Sequence, residues 1–225
     1  MISVIIPTLN EERALPETLR ELCQQSGEFE VILVDGGSCD NTVAIARAWP
    51  DLKVLTSSAG RATQMNRGAA AACGNLLLFL HADTVLPDGA IESLVRLELK
   101  DPQQWGGFHQ SFTADTAGLR AVSRLHNWRC GLTGIFYGDQ AMFVASEMFA
   151  RLGGFPSVPI LEDVMLSEQL LKLAKPIFLP GTVKTDSRKF EQMGSLRSFL
   201  RCLLILLSYE LRLPILGQRF FSAIR

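Results

Sequence analysis

Apolar positions in the first half of the chain come in short, dense runs, separated by stretches in which they return every three or four residues. The runs at 3–6, 31–34, 54–56 and 76–80 are almost wholly apolar, the pattern of strands buried on both faces. The stretches between them carry helical faces. Leu15, Leu19 and Leu22 form one, Val43, Ile45, Ala46 and Trp49 another behind an Asp40 cap, and Ala62, Met65, Ala69 and Ala72 a third. A fourth helix is predicted from about Asp88, with Ile91, Leu94 and Val95 inward. Short buried strands alternating with helices predict an α/β fold with a mostly parallel central sheet and right-handed crossovers.

The second half is less regular. Strands are predicted at 107–112 and 140–145, flanking a segment of Gly, His, Trp and Arg; a helix follows from 163 to about 173, and a last short strand at 176–179. We read 1–194 as one domain and 195–225 as a helical extension that is both apolar and basic. Leu200, Leu203, Leu204 and Leu207 mark its apolar surface, flanked by Arg197, Arg201 and Arg212. Residues 195–217 are expected to dock on their own domain, pair as a homodimer or meet a membrane surface.

Composition narrows the classes. A chain of 225 residues with 48% hydrophobic and 20% charged content suits one well-cored enzyme domain. A net charge of −1 argues against nucleic acid as a partner, since backbone binding needs concentrated positive charge. That charge is uneven: residues 184–225 hold eight Lys/Arg against three Asp/Glu, and residues 1–183 hold fourteen against twenty. Five cysteines without C-x-x-C spacing signal neither a disulfide framework nor a zinc site, which suits a reducing cytoplasm. The first apolar run shows no signal-peptide pattern, and the longest, at 202–207, is far short of the ~20 residues that cross a bilayer. The expected location is cytoplasmic, with peripheral contact at the inner membrane face as the variant.

In an open parallel sheet, ligands bind beyond the carboxyl ends of the strands. Three polar clusters fall there: Pro7-Thr8-Leu9-Asn10-Glu11-Glu12, Asp35-Gly36-Gly37-Ser38 and His81-Ala82-Asp83-Thr84. Asp35 is placed to accept from a base imide or a ribose hydroxyl, and the glycines after it admit close approach of a ligand; a tight turn capping the next helix accounts for the same residues. Asp83 follows a buried strand, where a carboxylate needs a cation or a hydrogen-bond partner. Mg²⁺ or Mn²⁺ suits it, because these ions take one or two protein carboxylates and fill their other positions with diphosphate oxygens and water.

These clusters, with 61–68 and Glu162-Asp163, resemble the ordered motifs of family 2 glycosyltransferases of the GT-A fold over about residues 1–190. Within that family the chain is similar to a small bacterial branch linked with arsenosugar biosynthesis. The resemblance implies transfer of a sugar, with inversion, from a nucleotide-diphospho-sugar, commonly UDP-linked, to an acceptor hydroxyl, assisted by Mg²⁺ or Mn²⁺. It places Pro7, Thr8 and Glu11 in the nucleoside pocket, Asp35 at the base, and Arg61 at the base or diphosphate. It also makes Asp83 a metal ligand, as the last residue of a D-x-D element whose first Asp is here His81. His81 is either a hydrogen-bonded strand-end histidine or a second ligand.

Asp163 is the candidate base for the acceptor hydroxyl, with Glu162 beside it; a first-turn Asp favoured by the helix dipole is the alternative. Arg188 and Lys189 are candidates to balance charge on the leaving diphosphate, with solvated surface charge as the alternative. Asp139 and Gln140 are expected to border a sugar, and Trp105, Trp128 and Phe136 to offer a stacking surface or ordinary packing. Two other classes compete. Nucleotidyl transfer to a sugar phosphate wants a basic glycine-rich loop where residues 7–12 are acidic. A non-catalytic nucleotide-sugar-binding protein of the same fold would explain His81. Hydride transfer lacks the G-x-G-x-x-G opening.

Overall fold

The computed structural model describes residues 1–98 and 103–188. Strands β1 (Ile2–Thr8), β2 (Phe29–Asp35), β3 (Leu52–Thr56) and β4 (Leu76–Phe79) pair in parallel in the order β3-β2-β1-β4. Helices α1 (Leu15–Cys23), α2 (Thr42–Arg47) and α3 (Arg61–Ala69) connect them. Ile5 sits between Ile32 and Phe79 in register, and all three are buried, which is why these strands read as unbroken apolar runs. All four carboxyl ends lie on one edge of the sheet.

After β4 the chain continues through β5 (Thr84–Val85), α4 (Ala90–Glu98), β6 (Trp105–Phe112), α5 (Ala117–Thr133), a 3₁₀ turn at Gly138–Gln140, β7 (Phe143–Ala145), α6 (Ser146–Leu152), α7 (Glu162–Leu171) and β8 (Ile177–Thr185). Among the described residues the strand order is β3-β2-β1-β4-β7-β6-β8-β5. β7 runs antiparallel to β4 and β6, β6 parallel to β8, and β5 antiparallel to β8. The expected α/β class with a mostly parallel sheet is what forms.

Several expected boundaries move. α2 ends at Arg47, leaving Trp49 beyond it, and α3 ends at Ala69, short of Ala72; both still pack against the core. Asp40 bonds the start of α2 through Thr42 N–H at 3.0 Å, though Asn41 holds the capping position. The strand expected at 140–145 shortens to β7, because Ala141 takes a positive φ of 46° directly after the 3₁₀ turn. The last strand runs on to Thr185 instead of stopping at 179.

Two helices, α5 and α6, were not expected. α5 buries only Leu119, Ser123 and Cys130, so the inward face is narrow and partly polar and no apolar period marks it. Its ends are nonetheless well formed: Thr116 Oγ1 accepts from Leu119 N–H at 3.2 Å, and Gly134 stops it at φ 70°. Residues 195–225 lie outside the described residues.

Candidate functional site

Two rim loops are laced together at the carboxyl ends of β1 and β2. Asn10 Oδ1 accepts from Cys39 N–H at 2.8 Å, Asn10 N–H donates to Ser38 Oγ at 2.9 Å, and Glu11 N–H donates to Thr42 Oγ1 at 2.8 Å. Glu12 closes the same seam by accepting from Asn41 backbone and side chain at 3.1 and 3.0 Å. Thr8 is buried at the end of β1, its carbonyl taken by Gly36 N–H at 2.9 Å and Gln64 Nε2 at 2.7 Å. Pro7 beside it is half-buried.

Asp35 is buried at the end of β2 and ties down its own turn, accepting from Gly37 N–H at 2.9 Å and Ser38 N–H at 3.1 Å. These bonds realise the turn reading of this residue. They also hold the carboxylate at the rim, with acceptor capacity beyond the two bonds.

Opposite these loops the structure gathers residues from four distant segments. Arg61 opens α3, a helix that lies tight on the sheet because Gly68 has no side chain; a Cβ there would come 2.5 Å from Ile5 Cγ2. Glu162 and Asp163 open α7, at only 1% and 5% exposure, after Leu161 turns the chain at φ 65°. Arg61 Nε donates to Glu162 Oε1, Nη2 lies 3.3 Å from Asp163 Oδ2, and Nη1 lies 3.4 Å from His81 Nε2. The 3₁₀ turn completes the group, with Gly138 N–H donating to Asp163 Oδ2 at 2.6 Å. A Cβ at Gly138 would stand 2.5 Å from His81 Nε2, so glycine lets the turn close on the imidazole as it lies.

The electrostatics follow from this packing. Burial pushes the proton affinity of Asp163 up; Arg61 and the Gly138 and Val164 amides pull it down, and neighbouring Glu162 pushes it up again, leaving it above the ordinary carboxylate range. The two carboxylates hold Arg61 firmly protonated. Arginine is always a donor, so His81 Nε2 is the acceptor of their contact and its lone pair faces the guanidinium.

The remaining expected residues separate. Asp83 is half-buried just past β4, and its carbonyl accepts from Asp186 N–H at 2.9 Å. Arg188 reaches from the end of β8 to the first rim loop, 3.6 Å from Glu11 Oε2, while its Nε pairs with Asp186. Lys189 lies outside the described residues. Asp139 faces His126 at 3.7 Å. Gln140 does not reach the site surface: it is fully buried and bonds Tyr137 N–H at 3.1 Å and the Phe108 carbonyl at 3.2 Å. Trp105 and Phe136 are core residues in edge contact at 5.9 Å, which leaves Trp128 alone exposed.

Two positioning residues escaped the sequence reading. Gln64 is buried under the rim and stitches β1 to β2 through the Thr8 and Val34 carbonyls at 2.7 and 2.8 Å. A polar residue in a helix otherwise read by its apolar period gives no signal of that. Asp186 has no role in the sequence reading, yet it links Asp83 to Arg188.

Comparison with known proteins bears on this arrangement. The sequence model described as Glycosyl transferase family 2 matches residues 3–143. A PGL/p-HBAD biosynthesis glycosyltransferase of Mycobacterium bovis is 44% identical over 169 residues, which cover 70% of this chain and 62% of that protein. The chain therefore spans about three fifths of that relative's length. S. aureus TarS solved with UDP-GlcNAc superposes at a TM-score of 0.64 and 19% identity, over 83% of this chain and 58% of that one. The mannosyltransferase PcManGT from Pyrobaculum calidifontis, solved with GDP-Man and Mn²⁺, gives 0.63 at 24% identity, over 89% and 64%. At such identities the likeness speaks to the fold, which is of the GT-A type. With the family match running from β1 to β7 and taking in Arg61, His81 and Asp83, the protein is a member of glycosyltransferase family 2.

Proposed function

We propose that the protein transfers a sugar, with inversion at the anomeric carbon, from a nucleotide-diphospho-sugar to an acceptor hydroxyl. The observation that carries this reading is the convergence of Arg61, His81, Gly138, Glu162 and Asp163 at the end of the sheet where nucleotide ligands bind. Asp163 is the base. Its carboxylate is buried, oriented by the Gly138 and Val164 amides, and raised in proton affinity, so it takes the acceptor's proton more readily than a surface carboxylate would. The attacking oxygen bonds to the anomeric carbon as the bond to the diphosphate breaks, and the proton passes to Asp163.

The donor lies over the rim loops in this reading. Pro7, Thr8, Glu11 and Asp35 line the nucleoside, Arg61 turns toward the diphosphate side, and Arg188 balances charge on the leaving group from its place beside Glu11. A uridine base is favoured; the neighbours solved with UDP-GlcNAc and GDP-Man support a nucleotide sugar in general. The motif likeness to the arsenosugar branch belongs to the same proposal, and an acceptor screen tests it.

The donor set also bears on the metal. Among the described residues no group of three His, Cys, Asp or Glu is placed to hold an ion. Asp83 brings one half-buried carboxylate to the end of β4, and His81 Nε2 points at a cation already present. This fits Mg²⁺ or Mn²⁺ brought with the diphosphate and held on the protein side by Asp83, and it does not favour His81 as a ligand. Bound there, the ion would supply positive charge to the leaving diphosphate.

The test is Asp163→Asn. The amide keeps the shape but cannot take the proton, so nucleotide-sugar affinity should stay while transfer falls by about 10² or more. Loss of donor affinity with turnover of bound donor preserved would move Asp163 into the nucleotide pocket and defeat this assignment.

A further inference from the structure

α5 is amphipathic in the wrong sense for a surface helix. It buries Leu119, Ser123 and Cys130 and turns Leu125, Trp128 and Leu132 outward at 44%, 63% and 68% exposure. At helical pitch these three fall within about 60° of arc. Arg124 stands exposed beside the ridge, Arg120 lies one turn back and pairs with Asp115 at 2.7 Å, and the helix carries no Asp or Glu; Arg129, on the other flank, turns inward and donates to the Ile135 carbonyl at 2.9 Å. Thr113, in the approach to α5, accepts from Ser187 N–H at 3.1 Å, so the chain leaves the described residues close to where this helix begins.

We infer that the outer face of α5 seats the protein on an anionic lipid surface. Leucine and tryptophan inserted at headgroup depth, with Arg124 beside them to reach the phosphates, is the composition that binds such a surface. Charge decides against the other occupants. A second copy meeting α5 face to face would set arginine against arginine. Residues 189–225 hold six Lys/Arg against two Asp/Glu, so this segment of the chain brings like charge as well. Anionic headgroups neutralise both.

The inner edge of the helix touches the candidate site. Arg129 stacks on the Tyr137 ring at 3.8 Å, and His126 faces Asp139, both on the turn that carries Gly138. If the proposed function holds, a protein seated this way offers its acceptor side to hydroxyls carried by the lipid; the lipid contact itself does not depend on that reading.

The full chain should co-sediment with phosphatidylcholine vesicles containing phosphatidylglycerol, less so as salt rises, and not with phosphatidylcholine alone. Leu125→Ser/Trp128→Ser/Leu132→Ser should bind at least tenfold more weakly with an unchanged circular dichroism spectrum. Should that variant fail to fold, Trp128→Phe serves: brominated lipid should quench tryptophan emission in the parent chain and much less in this variant. Vesicle binding or quenching that survives these changes, no binding by the parent chain, or a dimer that the triple variant dissociates would each overturn the inference.

Discussion

At Asp163, burial and the Arg61 guanidinium act in opposite directions on one carboxyl group. Removing Arg61 leaves burial and the repulsion from Glu162 opposed by the Gly138 and Val164 amides alone, so the proton is held more tightly still. Arg61→Ala should therefore move the acid limb of the transfer rate to higher pH, a shift readable in a pH profile of kcat. The same variant takes the cation away from two buried carboxylates and should lose about 3 kcal/mol or more of stability near neutral pH, measured by urea denaturation. The sign of the pH dependence follows from the raised affinity. In the parent chain the native state holds the Asp163 proton longer than the unfolded state does, so stability falls as pH rises above the ordinary carboxylate range. Asp163→Asn should flatten that fall. Asp83 supports a separate expectation: Asp83→Ala should leave UDP binding without metal nearly unchanged and weaken Mn²⁺ binding to the UDP complex by tenfold or more, as read by calorimetry. Equal Mn²⁺ affinity would remove Asp83 from the metal assignment.

Elements differ in how plainly the sequence declares them. β1, β2 and β4 are legible because each holds an unbroken apolar run, Val4 to Ile6, Val31 to Val34 and Leu76 to Phe79, that is buried over most of its length. α1 is legible because Leu15, Leu19 and Leu22 meet the core on one stripe. α5 hides, since its packing face is Ser, Cys and a single Leu while its apolar residues point away. β7 hides in part because a left-handed Ala141 cuts into a run that reads as one strand. In the site, Glu162 and Asp163 were visible as an acidic pair at a helix start. Their pairing with Arg61, about a hundred positions away, belongs to tertiary structure that no local pattern carries. The close seating of α3 yields its own test. Gly68→Ala would place a Cβ 2.5 Å from Ile5 Cγ2, and lifting the helix should cost about 1–3 kcal/mol and loosen Arg61 with it. A lowered urea midpoint together with weaker donor binding is the expected pair of results.

Across the whole molecule, the sheet joins two halves of different character. Residues 1–98 contain every pairing of the parallel block, with β1 bonded on both sides. The later strands join that block through three residues of β4, where Leu76, Leu77 and Leu78 pair with Ala145, Val144 and Phe143, and close at the far edge where β5 pairs with β8. Amides of β1 and β2 should be the slowest to exchange with deuterium and those of β5 and β8 among the fastest, measured by mass spectrometry of peptides; the reverse order would show that the later strands organise the fold. Arg61 and His81 come from the early half, Gly138, Glu162 and Asp163 from the late one. On the proposed assignment, the loops on the nucleotide side can thus take shape on a growing chain before the base exists at all, and the site is complete only when the last third of the chain has docked. In moderate denaturant the sequence should run backwards: transfer is lost first, while nucleotide binding survives until the parallel block itself gives way.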